Sequence, residues 1–154
     1  METKIIINCA MSADGKIALP SRKQIKLSNR EDLHRVNRLR ENCDAILVGI
    51  GTVIEDNPKL TVKGGEGISR NPLRIVLDTK GRTPLDSNVL DSQAKTIIAV
   101  GDNCNTEKLG NAEIINCGND QINIKQLINN LANRGIKNIL VEGGETVLWS
   151  FLNE

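Results

Sequence analysis

The sequence predicts an α/β fold in which several parallel strands are flanked by helices, and three observations carry that expectation. Short apolar runs alternate along the chain with segments whose apolar residues recur at helical spacing. Several of these runs are rich in Ile and Val and do not alternate with polar residues, as in strands buried on both faces. Two of them pass through glycines toward a helix start, at 48–56 and at 141–147. In open α/β sheets such junctions gather at the carboxyl ends of the strands, where ligands bind.

Taken in order, residues 4–10 (KIIINCA) read as a strand, and a central one, because the apolar residues do not alternate. Asp14-Gly15 marks a turn, with Lys16 beyond it placed either to meet a phosphate or to face water. Ser28 and Glu31 have the spacing of a capping box, and Leu33, Val36, Leu39 and Cys43 continue it as an amphipathic helix over about 29–42. Residues 45–48 form a buried strand, followed by Gly49, Gly51 and a short helical turn from Thr52 that Asn57-Pro58 stops. Residues 60–62 are a short extended piece, and 64–67 (GGEG) a flexible loop.

Strands follow at 73–77, ending on Asp78-Thr79, and at 96–100, ending on Gly101-Asp102. A short helix at 105–109 and a short strand at 113–115 come next. Ile124, Leu127, Ile128 and Leu131 define a further amphipathic helix closed by Gly135. The strand at 138–141 leads through Glu142-Gly143-Gly144-Glu145-Thr146 into a helix that starts at 147. No repeat, low-complexity tract or linker divides the 154 residues, so one domain is expected.

The totals narrow the function. Twenty basic residues stand against 19 acidic ones, a net charge of +1, which offers no steering toward nucleic acid or membrane. Trp149 and Phe151 are the only aromatic residues, too few to stack on successive bases. No signal-peptide pattern or membrane-length apolar run is present, which reads as a cytoplasmic chain. Cys9, Cys43, Cys104 and Cys117 lack C-x-x-C spacing, so buried reduced thiols are expected and no metal site. His34, alone in the chain, lies among Arg35, Arg38 and Arg40 on a helix and would have to be the base of any triad.

The glycine junctions point to a phosphate-bearing ligand, because glycines admit close backbone approach and a helix start offers amides and a positive dipole. Gly49-x-Gly51 fits a tight strand exit as well as a dinucleotide turn, since Ile54 replaces the third glycine of that fingerprint. Thr52 would serve equally as a helix cap, Asp56 as part of an Asn-Pro turn, and Glu142 and Arg40 as solvated charges.

Four ordered blocks carry a more specific signal: 11–16 (MSADGK), 48–62 (VGIGTVIEDNPKLTV), 71–78 (NPLRIVLD) and 140–146 (LVEGGET). Together they resemble the riboflavin-biosynthesis reductases, both the archaeal and fungal ribosylaminopyrimidinone phosphate reductases and the reductase half of the bacterial bifunctional deaminase–reductase. That resemblance implies a dihydrofolate-reductase-like fold with a mixed, mostly parallel sheet, a homodimer, and NADPH as cofactor, with NADH possible. It also implies reduction of the ribose of a ribosylaminopyrimidine 5′-phosphate to a ribityl chain by hydride transfer to C1′.

By motif position the resemblance makes Thr52, Asp56, Thr79, Gly143, Gly144, Glu145, Thr146 and Val147 cofactor contacts. It makes Arg40, Leu60, Lys63 and Glu142 substrate contacts, and adds Asp14 and Lys16 as weaker candidates. Lys63 stands where some members carry Arg, which leaves a point charge in place of a bidentate grip. No residue stands out as proton donor. Because members continue past the glycine loop, a single reductase domain over 1–154 is expected, its sheet truncated and lacking the family's C-terminal strands. Two other readings stay open, a dihydrofolate-reductase-like reductase of another substrate and a non-catalytic nucleotide-binding module.

Overall fold

The computed structural model describes residues 3–20, 27–63, 71–102, 104, 109–110 and 112–154. The expected loop at 64–67 and all but the last residue of the expected helix at 105–109 lie outside them. The elements are β1 (Lys4–Ile7), α1 (Arg30–Glu41), β2 (Ala45–Gly49), α2 (Ile50–Asp56), β3 (Leu73–Leu77), a 3-10 turn (Asn88–Leu90), β4 (Thr96–Val100), β5 (Glu113–Asn116), α3 (Ile124–Asn133), β6 (Asn138–Val141) and α4 (Glu145–Leu152). They build one six-stranded sheet in the order β1-β6-β2-β3-β4-β5. Every described strand pair is parallel, so the antiparallel member of a mixed sheet is not found among the described residues.

The central strands follow the expected composition. Ala45, Leu47, Ile75, Ile97, Ala99, Ile139 and Val141 face one side, where Leu127 and Leu131 of α3 and Val147 of α4 cover them. Ile46, Val48, Val76, Ile98 and Leu140 face the other side, packed with Ile50 and Val53 of α2 and, at its margin, Leu39 of α1. With a core on both faces, alternate residues are all buried, and each large aliphatic side chain removed from water contributes roughly 1.5–3 kcal/mol.

Some expectations need correction. β1 pairs only with β6 and ends the sheet, and its Ile7 is 40% exposed. Its unbroken apolar run therefore does not mark a central strand among the described residues. The cap of α1 is Asn29, whose Oδ1 accepts from the Asp32 amide at 2.8 Å. Ser28 instead bonds the Asp32 side chain and, with Arg35, holds that carboxyl below its ordinary value. Leu33 is half exposed, so α1 touches the core through Leu39 and not along a full stripe.

α2 starts at Ile50, α4 at Glu145, and the 3-10 turn was not foreseen. The piece at 60–62 is extended but belongs to no strand. Cys43 and Cys117 are buried as expected, whereas Cys9 is exposed and Cys104 only partly covered. Among the described residues no helix is long and apolar enough to cross a membrane.

Candidate active site

Because all six strands run the same way, their carboxyl ends form one rim, and β6 is inserted between β1 and β2. Leu47 pairs with Val141, and the Glu142 amide donates to the Leu47 carbonyl at 2.9 Å. The two glycine junctions, nearly a hundred residues apart in sequence, thus stand side by side.

Val147 joins them. A Cβ on Gly49 would lie 2.7 Å from Val147 Cγ2, and one on Gly143 would lie 2.6 Å from Val147 Cβ. Both glycines are therefore demanded by packing. Val147, expected as a cofactor contact, is buried and wedged between the junctions. Gly51 and Gly144 differ: nothing lies within 4 Å of the Cβ either would carry, and neither has a positive φ. Gly51 lies in the first turn of α2, and packing gives no reason for a glycine there. Both open positions are exposed at the glycine junctions, on the rim where a phosphate-bearing ligand is expected. Gly144 also leaves the start of α4 without a side-chain cap, with Glu145 and Thr146 exposed beside it.

This contrast yields a prediction. Gly143→Ala is expected to destabilise the fold by about 1–3 kcal/mol, because the clash is with a Cβ and α4 must move. Gly144→Ala is expected to stay within about 1 kcal/mol of the parent, yet to weaken pyridine-nucleotide binding. Thermal melts paired with nucleotide titrations check both.

Thr52 is half-buried in the first turn of α2, and Asp56 is exposed at its last residue. Although Asp56 is exposed, neighbouring atoms strip part of its water, and that desolvation, then the charge of Glu55, push its carboxyl somewhat above the ordinary value. The native state then holds a proton that the unfolded chain releases, so stability falls as pH rises through the raised value. Asp56→Asn is expected to melt slightly higher than the parent at neutral pH, by no more than about 0.5 kcal/mol. The difference should vanish below the ordinary carboxylate range in melts across pH. Thr79, also half-buried, follows β3, and its carbonyl accepts from the Gly101 amide at 3.0 Å.

Arg40 and Glu142, expected as separate substrate contacts, bind each other. Arg40 Nη2 donates to Glu142 Oε2 at 2.7 Å and Nε donates to Oε1 at 3.1 Å. The pair is largely covered, with side chains 21% and 11% exposed. Arg40 Nη1 also donates to the Thr61 carbonyl at 3.2 Å, which ties α1, β6 and the 60–63 segment into one corner. Burial first, then the charges of Asp44 and Glu142, push up the thiol of nearby Cys43.

Leu60 is buried with φ at 49°, and Asn57 takes φ of 40°. Non-glycine residues seldom adopt this region, and such outliers concentrate at functional sites. Asn88 holds the segment there: its amide N–H donates to Asn57 Oδ1, and its side chain donates to the Asn57 carbonyl, both at 2.7 Å. Lys63 is exposed at the end of the segment. Asp14 and Lys16 form an exposed ion pair with each other, with Ser12 bonded to Asp14.

Several contributors escaped the sequence reading. Asn8 follows β1, bonds the Val141 carbonyl through its amide at 3.0 Å, and accepts from Arg35 Nη2 at 2.9 Å. Arg35 therefore reaches the rim although it lies off the apolar stripe of α1. Asn37, Asn88 and Arg74 act on the 57–63 segment from outside. Of these, only Arg74 carries a signal in the sequence, as the one charge in an otherwise apolar strand, LRIVL.

Comparisons with known proteins fit this arrangement. Residues 3–154 match the model of the RibD C-terminal domain. The 2,5-diamino-6-ribosylamino-4(3H)-pyrimidinone 5′-phosphate reductase of Archaeoglobus fulgidus is 39% identical, over 100% of this chain and 76% of its own length. The protein of the same description from Methanothermobacter thermautotrophicus is 38% identical, over 99% of this chain and 72% of its own.

Among solved structures, a deaminase/reductase from Thermotoga maritima superposes with a TM-score of 0.83 at 30% identity. It covers 99% of this chain, which spans 42% of the Thermotoga chain. The riboflavin biosynthesis reductase of Saccharomyces cerevisiae gives 0.74 at 25% identity, over 95% of this chain and 65% of its own.

Proposed function

This chain belongs to the RibD C-terminal domain family, and from that membership and the rim geometry we propose that it is an NADPH-dependent reductase of riboflavin biosynthesis. Its substrate is a ribosylaminopyrimidine 5′-phosphate such as its archaeal relatives are named for. The observation that carries the reading is the Arg40–Glu142 pair, which stands one residue before Gly143-Gly144. It joins the residues matched to substrate contacts with those matched to cofactor contacts.

In this reaction the ribose ring opens to an imine between C1′ and the exocyclic nitrogen. A hydride forms the new C–H bond at C1′, and a proton goes to the nitrogen, leaving the ribitylamino product and the oxidised nucleotide. The reduced pyridine nucleotide supplies the hydride when bound. The chain supplies position and charge. Gly51, Gly143 and Gly144, with Thr52 and Thr79, hold the nucleotide, and Asp56, Glu145 and Thr146 border it. Leu60, Lys63 and the Arg40–Glu142 pair hold the substrate, with Lys63 supplying a point charge for its phosphate. No side chain on the rim is assigned the proton. The reductase is read as a homodimer in the cytoplasm.

Titration calorimetry of the chain with NADPH and NADH tests the cofactor assignment, with micromolar binding and a preference for NADPH expected. Loss of NADPH absorbance is then followed with the pyrimidinone phosphate and, in parallel, dihydrofolate. Turnover of dihydrofolate alone, or nucleotide binding with no oxidation on either substrate, overturns the proposal.

A further inference from the structure

The 60–63 segment carries Leu60 and Lys63, yet among the described residues no strand pairs with it. Several of its backbone groups are bonded by side chains instead. The Thr61 carbonyl accepts from Arg40 at 3.2 Å, and the Val62 amide donates to Asn71 Oδ1 at 3.0 Å. Lys63 is held at both backbone groups by one residue: its amide donates to Asn37 Oδ1 at 2.8 Å, and its carbonyl accepts from Asn37 Nδ2 at 3.1 Å. A carboxamide offers one donor and one acceptor side by side, which matches the N–H and C=O of a single extended residue.

Asn37 lies within α1, where asparagine is an indifferent helix former, so helix propensity does not account for it. Its remaining bond, to Glu41 Oε1 at 2.9 Å, stays within the helix. The 26-residue link to Lys63 is the one that reaches the site.

We propose that Asn37 is a positioning residue for Lys63. It takes the place of a neighbouring strand and fixes the backbone from which the lysine side chain reaches the substrate phosphate. The inference rests on the reading of Lys63 as a substrate contact. With the backbone held, only the side-chain torsions of Lys63 remain to be ordered on binding. With it released, the ammonium is spread over a wider volume and binding weakens.

The test is a double-mutant cycle of Asn37→Ala and Lys63→Met, with melting temperature, NADPH affinity by calorimetry, and KM and kcat for the pyrimidinone phosphate. Asn37 is partly exposed, so N37A should fold, with NADPH affinity and kcat within about twofold of the parent. KM should rise about tenfold in N37A and at least as much in K63M. In the double variant KM should lie within about twofold of K63M, because Asn37 acts through a side chain already removed.

If N37A multiplies KM equally in both backgrounds, Asn37 acts independently and the inference is overturned. It is also overturned if K63M raises KM and N37A does not, although Lys63 then stands as a substrate contact. An unchanged KM in K63M removes the reading of Lys63 itself, and the inference with it.

Discussion

Arg74→Met is expected to cost about 3–5 kcal/mol, enough to leave much of the chain unfolded at ambient temperature. Arg74 is fully buried on β3. Its Nε donates to Thr96 Oγ1 at 2.9 Å, and Nη1 donates to the Asn88 carbonyl at 2.9 Å and to Asp91 Oδ1 at 2.8 Å. Nη2 donates to the carbonyls of Asp91 and Ala94 at 2.7 and 2.5 Å. Methionine fills much of the same space, so the loss is not mainly one of volume. It comes from the covered Asn88, Asp91 and Ala94 carbonyls left without this donor, and from a carboxylate left with the Gln93 amide but without its balancing charge.

Burial alone would raise the Asp91 carboxyl, but the hydrogen bond and charge of Arg74, with the Gln93 amide, outweigh it and hold it below the ordinary value. That contribution is fully present above the ordinary carboxylate value and is lost as pH falls through the lowered one. Acid melts should therefore show a loss in the parent that is absent in Asp91→Asn. The double variant R74M/D91N should recover part of the R74M deficit, because the orphaned charge is gone. Chemical denaturation of the three variants measures this, and an R74M loss below 1 kcal/mol would show that the arginine is dispensable.

Glu142→Gln is expected to lower kcat/KM at least a hundredfold, about 2.7 kcal/mol of transition-state stabilisation, with a smaller loss of stability. Glutamine keeps one oxygen for Arg40 and nearly the same shape, but sets its amide nitrogen against the second guanidinium N–H, so the fold should lose about 1–2 kcal/mol. What disappears is the negative charge on the rim beside the glycine junctions. Arg40→Ala, by contrast, leaves Glu142 largely covered and unpaired and releases the Thr61 carbonyl, so activity and stability should fall together. Kinetics and melts on both variants separate the effects. A fall in E142Q activity no larger than its fall in stability would make the pair structural only.

The most legible parts of the fold were those set by local chemistry. β3 and β4 match their expected bounds at 73–77 and 96–100, because a strand buried on both faces is apolar at nearly every position, Arg74 and Thr96 being the exceptions. The amphipathic pattern of α3 and its closure at Gly135, where φ is 82°, were likewise written in neighbouring residues. The site residues were named through the ordered blocks of a family resemblance, since Thr52, Glu142 or Arg40 taken singly fits a surface role as well.

Sequence by itself determined the alternation of strands and helices, the two glycine junctions and the absence of charge or aromatic patterns for nucleic acid, since each depends on residues close in the chain. Tertiary structure alone decided that β6 enters between β1 and β2, and most of the site follows from that insertion. It sets Gly143 beside Gly49 with Val147 wedged between them, and it brings Glu142 to Arg40 across 102 residues of chain. It also assigns Asn37, Asn71 and Arg40 as partners of a segment that no strand accompanies among the described residues. Periodicity and propensity report on the few residues within one turn or one pleat, whereas strand order and side-chain pairing depend on which distant surfaces meet when the core closes.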